Sequence, residues 1–158
     1  MPDWKILITD GLQENGKEIL NSAEDINEAR DAAGISPEEL LETVGEYHAL
    51  IVRSRTKVNE EIFDAARNLK VVGRAGVGVD NIDLAAANAH GVTVVNSPTA
   101  TSIAVAEHTL ALMFSLARSI PRADASMKTG QWAKKELEGI ELTGKTLGIV
   151  GMGNIGEK

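Results

Sequence analysis

Cysteine is absent from the 158-residue sequence, and aromatic residues make up only 3% of it. Without cysteine the chain has no disulfide framework, no thiolate nucleophile and no cysteine-ligated metal, which fits a reducing compartment. Basic residues are also in deficit, since 16 lysines and arginines stand against 23 acidic residues and the net charge is −7. Nucleic acids and anionic membranes require a basic surface, so we expect neither as a partner. Small molecules or other subunits are the expected partners.

Signals for export and for metal binding are missing as well. The first residues lack the basic and apolar regions of a signal peptide, so we expect a cytoplasmic protein. The three histidines, His48, His90 and His108, share no spacing that would place two of them on one metal ion. We therefore expect structural roles for all three and no metal site.

The sequence does contain short apolar runs that alternate with helical segments. Four runs rich in aliphatic residues are typical of strands buried on both faces, at 5–9, 49–52, 69–72 and 92–95. Helices are expected over 36–44, with Ser36 as the cap and Glu39 closing a capping box, after a cap at Asn59, and over 81–90. Residues 21–34 should hold another strand, but they are polar, so we expect a short edge strand there or none. The alternation predicts an α/β domain with a parallel sheet over residues 1–98.

Residues 99–158 follow a different pattern. The segment 102–119 predicts a helix with almost no polar face, which must be buried nearly all round in a domain or subunit contact. A strand is expected at 145–150, and a glycine loop with Gly151, Gly153, Asn154, Ile155 and Gly156 follows it directly. A G-x-G-x-x-G loop after a strand is typical of dinucleotide-binding sites. A glycine-rich turn without a ligand is the alternative.

A second glycine turn, from Gly73 to Asn81, also follows a strand. Gly76 and Gly78 permit a turn whose N–H groups point into one concavity, which suits a carboxylate. Arg53 and Asn96 follow two other strands, and ligands of open α/β sheets bind where the carboxyl ends of the strands meet. The sequence therefore predicts an acid-binding site at this edge. A plain turn with an exposed arginine is the alternative.

Five blocks occur together in one order, at 52–54, 71–81, 96–99, 106–109 and 142–151. In this combination the sequence resembles the phosphoglycerate dehydrogenase family of D-isomer-specific 2-hydroxyacid dehydrogenases. The resemblance implies a flavodoxin-like substrate domain, a linking helix that forms a homodimer or homotetramer, and the truncated start of a Rossmann NAD-binding domain.

The resemblance also implies a reaction, in which NAD oxidises the 2-hydroxyl of 3-phosphoglycerate to a ketone in the first step of serine biosynthesis. The residues implied to bind substrate are Arg53, Ser54, Arg74, Gly76, Val77, Gly78, Asn96 and Lys134. Amides of the glycine turn would hold the carboxylate, and the basic side chains would attract its acidic groups. The family's catalytic arginine, glutamate and histidine are implied to lie beyond Lys158. We therefore expect no catalytic residue here and no activity from the chain alone.

Three alternatives stay open at this point. The first is a related enzyme such as a glyoxylate or hydroxypyruvate reductase, which would act on an unphosphorylated acid. The second, from another class, is a corepressor-like scaffold that senses NAD. The third is a stand-alone flavodoxin-like domain with a tail.

Overall fold

The computed structural model describes residues 3–158 and divides into two compact units, the first ending at Ala100 and the second running from Thr101 to Lys158. The strands of the first unit are β1 (Trp4–Ile8), β2 (Ile26–Asp31), β3 (Ala49–Val52), β4 (Val71–Arg74) and β5 (Thr93–Asn96). Its helices are α1 (Glu14–Ser22), α2 (Pro37–Thr43), α3 (Glu60–Ala65) and α4 (Leu84–Ala89), with a 3₁₀ turn at Val44–Glu46. All strands are parallel, in the order β2-β1-β3-β4-β5. This is the flavodoxin-like order, which confirms the predicted α/β class.

Strand β2 is longer than its polar sequence predicted. It has six residues and pairs with β1 along its length, so the expectation of a short strand or none was wrong, although its edge position was anticipated. An edge strand needs few apolar contacts. Ile26 and Ala29 pack against the apolar cluster of Ile6 and Ile8, while Asn27 stays exposed.

Capping side chains set the starts of the helices. Ser36 Oγ accepts a hydrogen bond from Glu39 N at 3.1 Å, and Asn59 Oδ1 accepts one from Ile62 N at 3.3 Å, as the sequence predicted. The Glu39 side chain does not return to Ser36, because it lies 3.4 Å from Arg30 Nη2 instead. Helix α4 begins later than predicted because Asp83, not Asn81, caps it, accepting from Ala86 N at 2.9 Å.

The main core lies between the sheet and helices α2 to α4. Leu7, Leu50 and Val72 are fully buried there, and they pack with side chains such as Leu40 and Ile62. Burial of each such side chain contributes roughly 1.5–3 kcal/mol. The central strands are therefore held firmly.

The second unit contains α5 (Ser102–Ala117), α6 (Ile120–Lys128) and a 3₁₀ turn at Lys134–Glu136. The predicted burial of α5 is not observed in this chain, where Ser102 is its one buried residue and Leu116 is 83% exposed. Among residues 3–158 no single helix is long and apolar enough to cross a membrane; α5 and α6 together reach that length but are bent by 64°.

The predicted strand at 145–150 does not form. Leu147 and Ile149 are 59% and 53% exposed, and Val150 is fully exposed. A buried parallel strand needs neighbouring strands on both sides, and residues 101–158 contain none. The glycine loop after it therefore follows an irregular segment.

Candidate acid-binding site

The carboxyl ends of three adjacent strands assemble most of the predicted substrate residues. Val52 is in register with Arg74, and Arg74 is in register with Asn96, so the residues after β3, β4 and β5 lie side by side. The structure thus brings together Arg53, Ser54, Arg74, the turn 76–78 and Asn96. Lys134 lies in the second unit, in an exposed 3₁₀ turn.

Asp10, two residues after the end of β1, holds the loop that carries Arg53. Its side chain is only 4% exposed. Oδ2 accepts hydrogen bonds from the backbone N–H groups of Arg53, Arg55 and Thr56 at 2.7, 3.2 and 3.1 Å. Oδ1 accepts from Thr56 Oγ1 at 2.5 Å and from Arg55 Nε at 3.3 Å. Asp10 was not among the predicted site residues, although a carboxylate just after a buried strand could have indicated it.

These contacts decide the ionisation of Asp10. Burial by itself would raise the pKa of the carboxyl group. The hydrogen bonds from Thr56 and the Arg53 amide, together with the charge of Arg55, outweigh burial and hold the pKa below its usual value. Asp10 is therefore a carboxylate at neutral pH and accepts all five hydrogen bonds.

The two arginines of the β3 loop have different roles. The Arg55 guanidinium donates to Thr9 O at 2.7 Å and to Ile35 O at 3.4 Å, in addition to its contact with Asp10. These hydrogen bonds give the Arg55 side chain a structural role. The Arg53 guanidinium is exposed and makes no hydrogen bond or ion pair with any of residues 3–158. Of the two arginines of this loop, Arg53 is thus the one that is available to a ligand.

Asn81 connects the β3 loop to Arg74. Its Nδ2 donates to Arg53 O at 2.9 Å and to Thr56 O at 2.6 Å. Its Oδ1 accepts from Arg74 Nε at 3.1 Å, and Arg74 Nη2 lies 3.4 Å from Ser54 Oγ. The sequence pattern placed Asn81 at the start of a helix and gave no sign of this role, which depends on contacts between residues far apart in the chain.

The glycine turn differs in detail from the prediction. Neither Gly76 nor Gly78 has a positive φ, so neither is required by a left-handed backbone. A Cβ would instead meet the ends of side chains, since one at Gly76 would lie 2.5 Å from Arg74 Nη1 and one at Gly78 would lie 2.8 Å from Asp80 Oδ1. The guanidinium of Arg74 therefore lies directly against the turn.

Two of the three expected turn amides remain available. Gly76 N donates to Arg74 O at 2.8 Å, so this amide has a partner within the turn. The N–H groups of Val77 and Gly78 make no hydrogen bond to any of residues 3–158. Asn96 Nδ2 donates to Val77 O at 2.6 Å, and Ser97 N donates to Gly76 O at 2.9 Å. Asn96 therefore holds the turn in place.

The other predicted residues belong to the second unit. In the second glycine loop, Gly151 has a φ of 99°, and a Cβ at Gly156 would overlap the Gly151 carbonyl oxygen. Both positions thus need glycine, as the dinucleotide loop does. Asn154 and Ile155 lie in the turn between them.

Two of the three histidines have structural contacts, as expected. His48 Nδ1 accepts from Lys5 N at 3.0 Å, and His90 Nε2 lies 3.3 Å from Asp64 Oδ1. His108 is exposed on α5. Residues 3–158 contain no group of three or more His, Cys, Asp or Glu side chains that could hold a metal ion.

Comparison with known proteins shows the family of the chain. The sequence pattern of the catalytic domain of D-isomer specific 2-hydroxyacid dehydrogenases matches residues 6–150. The chain belongs to this family. It is 52% identical over 154 residues to the D-3-phosphoglycerate dehydrogenase of Methanocaldococcus jannaschii, covering 98% of this chain and 29% of that protein. The family resemblance inferred from the five blocks is thereby confirmed.

Solved structures of other proteins share the fold. A protein from Thermus thermophilus superposes with a TM-score of 0.85 at 34% identity, covering 97% of this chain and 50% of that one. The D-lactate dehydrogenase of Aquifex aeolicus, solved in complex with NAD and lactic acid, gives a TM-score of 0.77 at 26% identity, covering 97% and 46%. The chain thus spans less than a third of the length of the curated relatives it matches and about half of these structures.

Proposed function

We propose that this chain supplies the substrate-binding part of an NAD-dependent dehydrogenase that oxidises the 2-hydroxyl group of 3-phosphoglycerate. The observation that carries the proposal is the convergence of Arg53, Arg74 and the free amides of Val77 and Gly78 at one sheet edge. A phosphorylated 2-hydroxy acid has anionic groups at both ends. Two guanidinium groups and two N–H groups provide separate donors for them.

The free Arg53 guanidinium favours a phosphorylated substrate over lactate or glyoxylate. An acid with one carboxylate needs only the turn amides and one cation. Arg53 is exposed and has no internal partner among the described residues, so it gains a charged partner only when a ligand arrives. The phosphoglycerate dehydrogenases among the relatives support the same choice.

NAD is the proposed cofactor, and its site would include Gly151, Gly153, Asn154, Ile155 and Gly156. The positive φ of Gly151 and the close approach at Gly156 fit a loop that receives a pyrophosphate. When bound, NAD⁺ supplies the hydride acceptor, so that the secondary alcohol becomes a ketone and one proton is released. The residues of this chain bind and orient the acid during that step, and no general base is proposed among them.

Ligand titration of the chain tests the substrate proposal. Chemical shifts in ¹H–¹⁵N spectra would be followed during additions of 3-phosphoglycerate and, separately, of glycerate, which lacks the phosphate. We expect saturable shifts at Val77 and Gly78 with both acids and tighter binding of the phosphorylated one. Arg53→Gln should remove most of that preference, whereas Arg67→Gln, at an exposed arginine elsewhere, should not. Equal affinity for both acids in the unaltered chain would contradict the phosphorylated substrate.

We further propose that α5 is covered by a second copy of the chain in a homodimer or a larger homo-oligomer. Its apolar side chains are exposed over its whole length, with Ile103 at 62%, Leu112 at 57% and Phe114 at 52%. Monomeric proteins rarely expose an apolar surface of this extent. Sedimentation velocity should give a dimer or larger species, and Leu112→Glu should shift it to the monomer. A monomer at high micromolar concentration of the unaltered chain would contradict this assignment.

A further inference from the structure

We infer that Asn81 is a positioning residue that fixes the direction of Arg74 and couples it to the Arg53 loop. The inference rests on the proposed function for the identity of the ligand. The hydrogen bonds of Asn81 that support it do not depend on that function. Asn81 uses its amide fully at this edge: two hydrogen bonds are donated to the β3 loop and one is accepted from Arg74. Its side chain touches no reacting group and acts through the two arginines.

The contact with Nε determines how Arg74 presents its charge. An arginine has five N–H donors, and binding at Nε leaves the two terminal nitrogens for other acceptors. Nη1 of Arg74 lies against Gly76, and Nη2 reaches Ser54 Oγ at the long distance of 3.4 Å. The guanidinium is therefore held through Nε, and its terminal nitrogens keep donors for a ligand. A free arginine would lose rotamer entropy each time it bound an anion, and Asn81 removes part of that cost.

The two hydrogen bonds that Asn81 donates link the orientation of the Arg74 side chain to the loop of Arg53. Nδ2 of Asn81 holds the carbonyl groups of Arg53 and Thr56, on the same loop whose N–H groups Asp10 holds. The backbone around Arg53 is thus fixed from both sides. Arg53 itself keeps a free side chain, while Arg74 has a fixed one. We infer that Arg74 presents a preset donor surface and that Arg53 closes on the ligand after it has bound.

The mobility of the two arginine side chains in the unaltered chain gives the first test. Heteronuclear ¹⁵N relaxation at the Nε–H groups should show Arg74 nearly as rigid as the backbone and Arg53 averaged by fast motion. Equal mobility of the two groups would overturn the inference. This measurement needs no ligand, so it remains decisive if 3-phosphoglycerate does not bind and the proposed function fails.

Variants at position 81 give the second test. Asn81→Ala should make the Arg74 Nε–H signal mobile and weaken 3-phosphoglycerate binding about fivefold to tenfold, the size of one net hydrogen bond. Asn88→Ala, at an exposed asparagine of α4, serves as the matched control. It should change neither the mobility of the Arg74 side chain nor the affinity for 3-phosphoglycerate.

Asn81→Asp separates the two contacts, since a carboxylate still accepts from Arg74 Nε but cannot donate to the β3 loop. It should lower the melting temperature while Arg74 stays rigid. It also covers the case in which the alanine variant does not fold. A mobile Arg74 side chain in Asn81→Asp would overturn the inference. So would a rigid Arg74 side chain in Asn81→Ala together with an unchanged affinity for 3-phosphoglycerate.

Discussion

Replacement of Asp10 by asparagine tests how the loop of Arg53 is held. In the unaltered chain one buried carboxylate accepts five hydrogen bonds, three of them from backbone N–H groups. Asparagine has nearly the same shape but only one accepting oxygen. With that oxygen toward the three N–H groups, its NH₂ group faces the Arg55 Nε–H donor. The variant therefore loses the Arg55 contact and the charge of the acceptor.

The expected cost follows from these contacts. Hydrogen bonds to a charged group contribute about 1.5–3 kcal/mol each and are not additive. Because Asp10→Asn keeps its backbone bonds in neutral form, we expect a loss of about 1–3 kcal/mol in the free energy of unfolding at pH 7. Asp10→Ala leaves buried donors without acceptors and should cost about 3–5 kcal/mol.

The dependence on pH has a definite sign. The pKa of Asp10 is lowered in the folded state, so its contribution is present above the unfolded pKa and is lost as the pH falls through the folded pKa. The difference in stability between the unaltered chain and Asp10→Asn should be constant above about pH 5. It should shrink below about pH 4, near the pKa of an unfolded aspartate.

Urea unfolding followed by far-UV circular dichroism from pH 3 to pH 7 measures this difference. Asp25→Asn is the matched control, because Asp25 is exposed and its side chain has no hydrogen bond or ion pair among the described residues. A stability of Asp10→Asn equal to that of the unaltered chain at pH 7 would refute the reasoning. So would a difference that grows as the pH falls.

Three further outcomes are expected. Gly76→Ala should leave stability nearly unchanged but weaken 3-phosphoglycerate binding, because the new Cβ would displace the terminal nitrogens of the Arg74 side chain and not the backbone. Thermal melts with a parallel titration check this, and an unchanged affinity would count against it. Ser36→Ala should cost about 1 kcal/mol in urea unfolding through loss of the α2 cap, whereas the exposed Ser22, which caps no helix, should tolerate alanine. The chain should give no saturable NADH fluorescence signal at micromolar concentration, since the strand before the glycine loop is not formed; a micromolar Kd would show that expectation to be wrong.

The placement of the basic side chains could be predicted only in part. Arg53, Arg74 and Asn96 each follow an apolar run, and parallel strands bring such positions to one edge. The strand pattern offered no means of distinguishing Arg53 from Arg55, two residues apart on the same loop, and only the family resemblance pointed to Arg53. Asp10 and Ile35 make that distinction by binding Arg55, and both are distant in the chain.

The sequence by itself determined strands β1, β3, β4 and β5, the caps at Ser36 and Asn59, and the family, because these depend on local patterns and on residues that recur in fixed order. Tertiary structure decided the rest. It made β2 a six-residue edge strand and gave Asn81 its three hydrogen bonds. It also bound the Arg55 side chain within the fold and left the Arg53 side chain exposed. It also left residues 145–150 without strand structure, because a parallel strand is stabilised by its neighbours and not by its own apolar sequence.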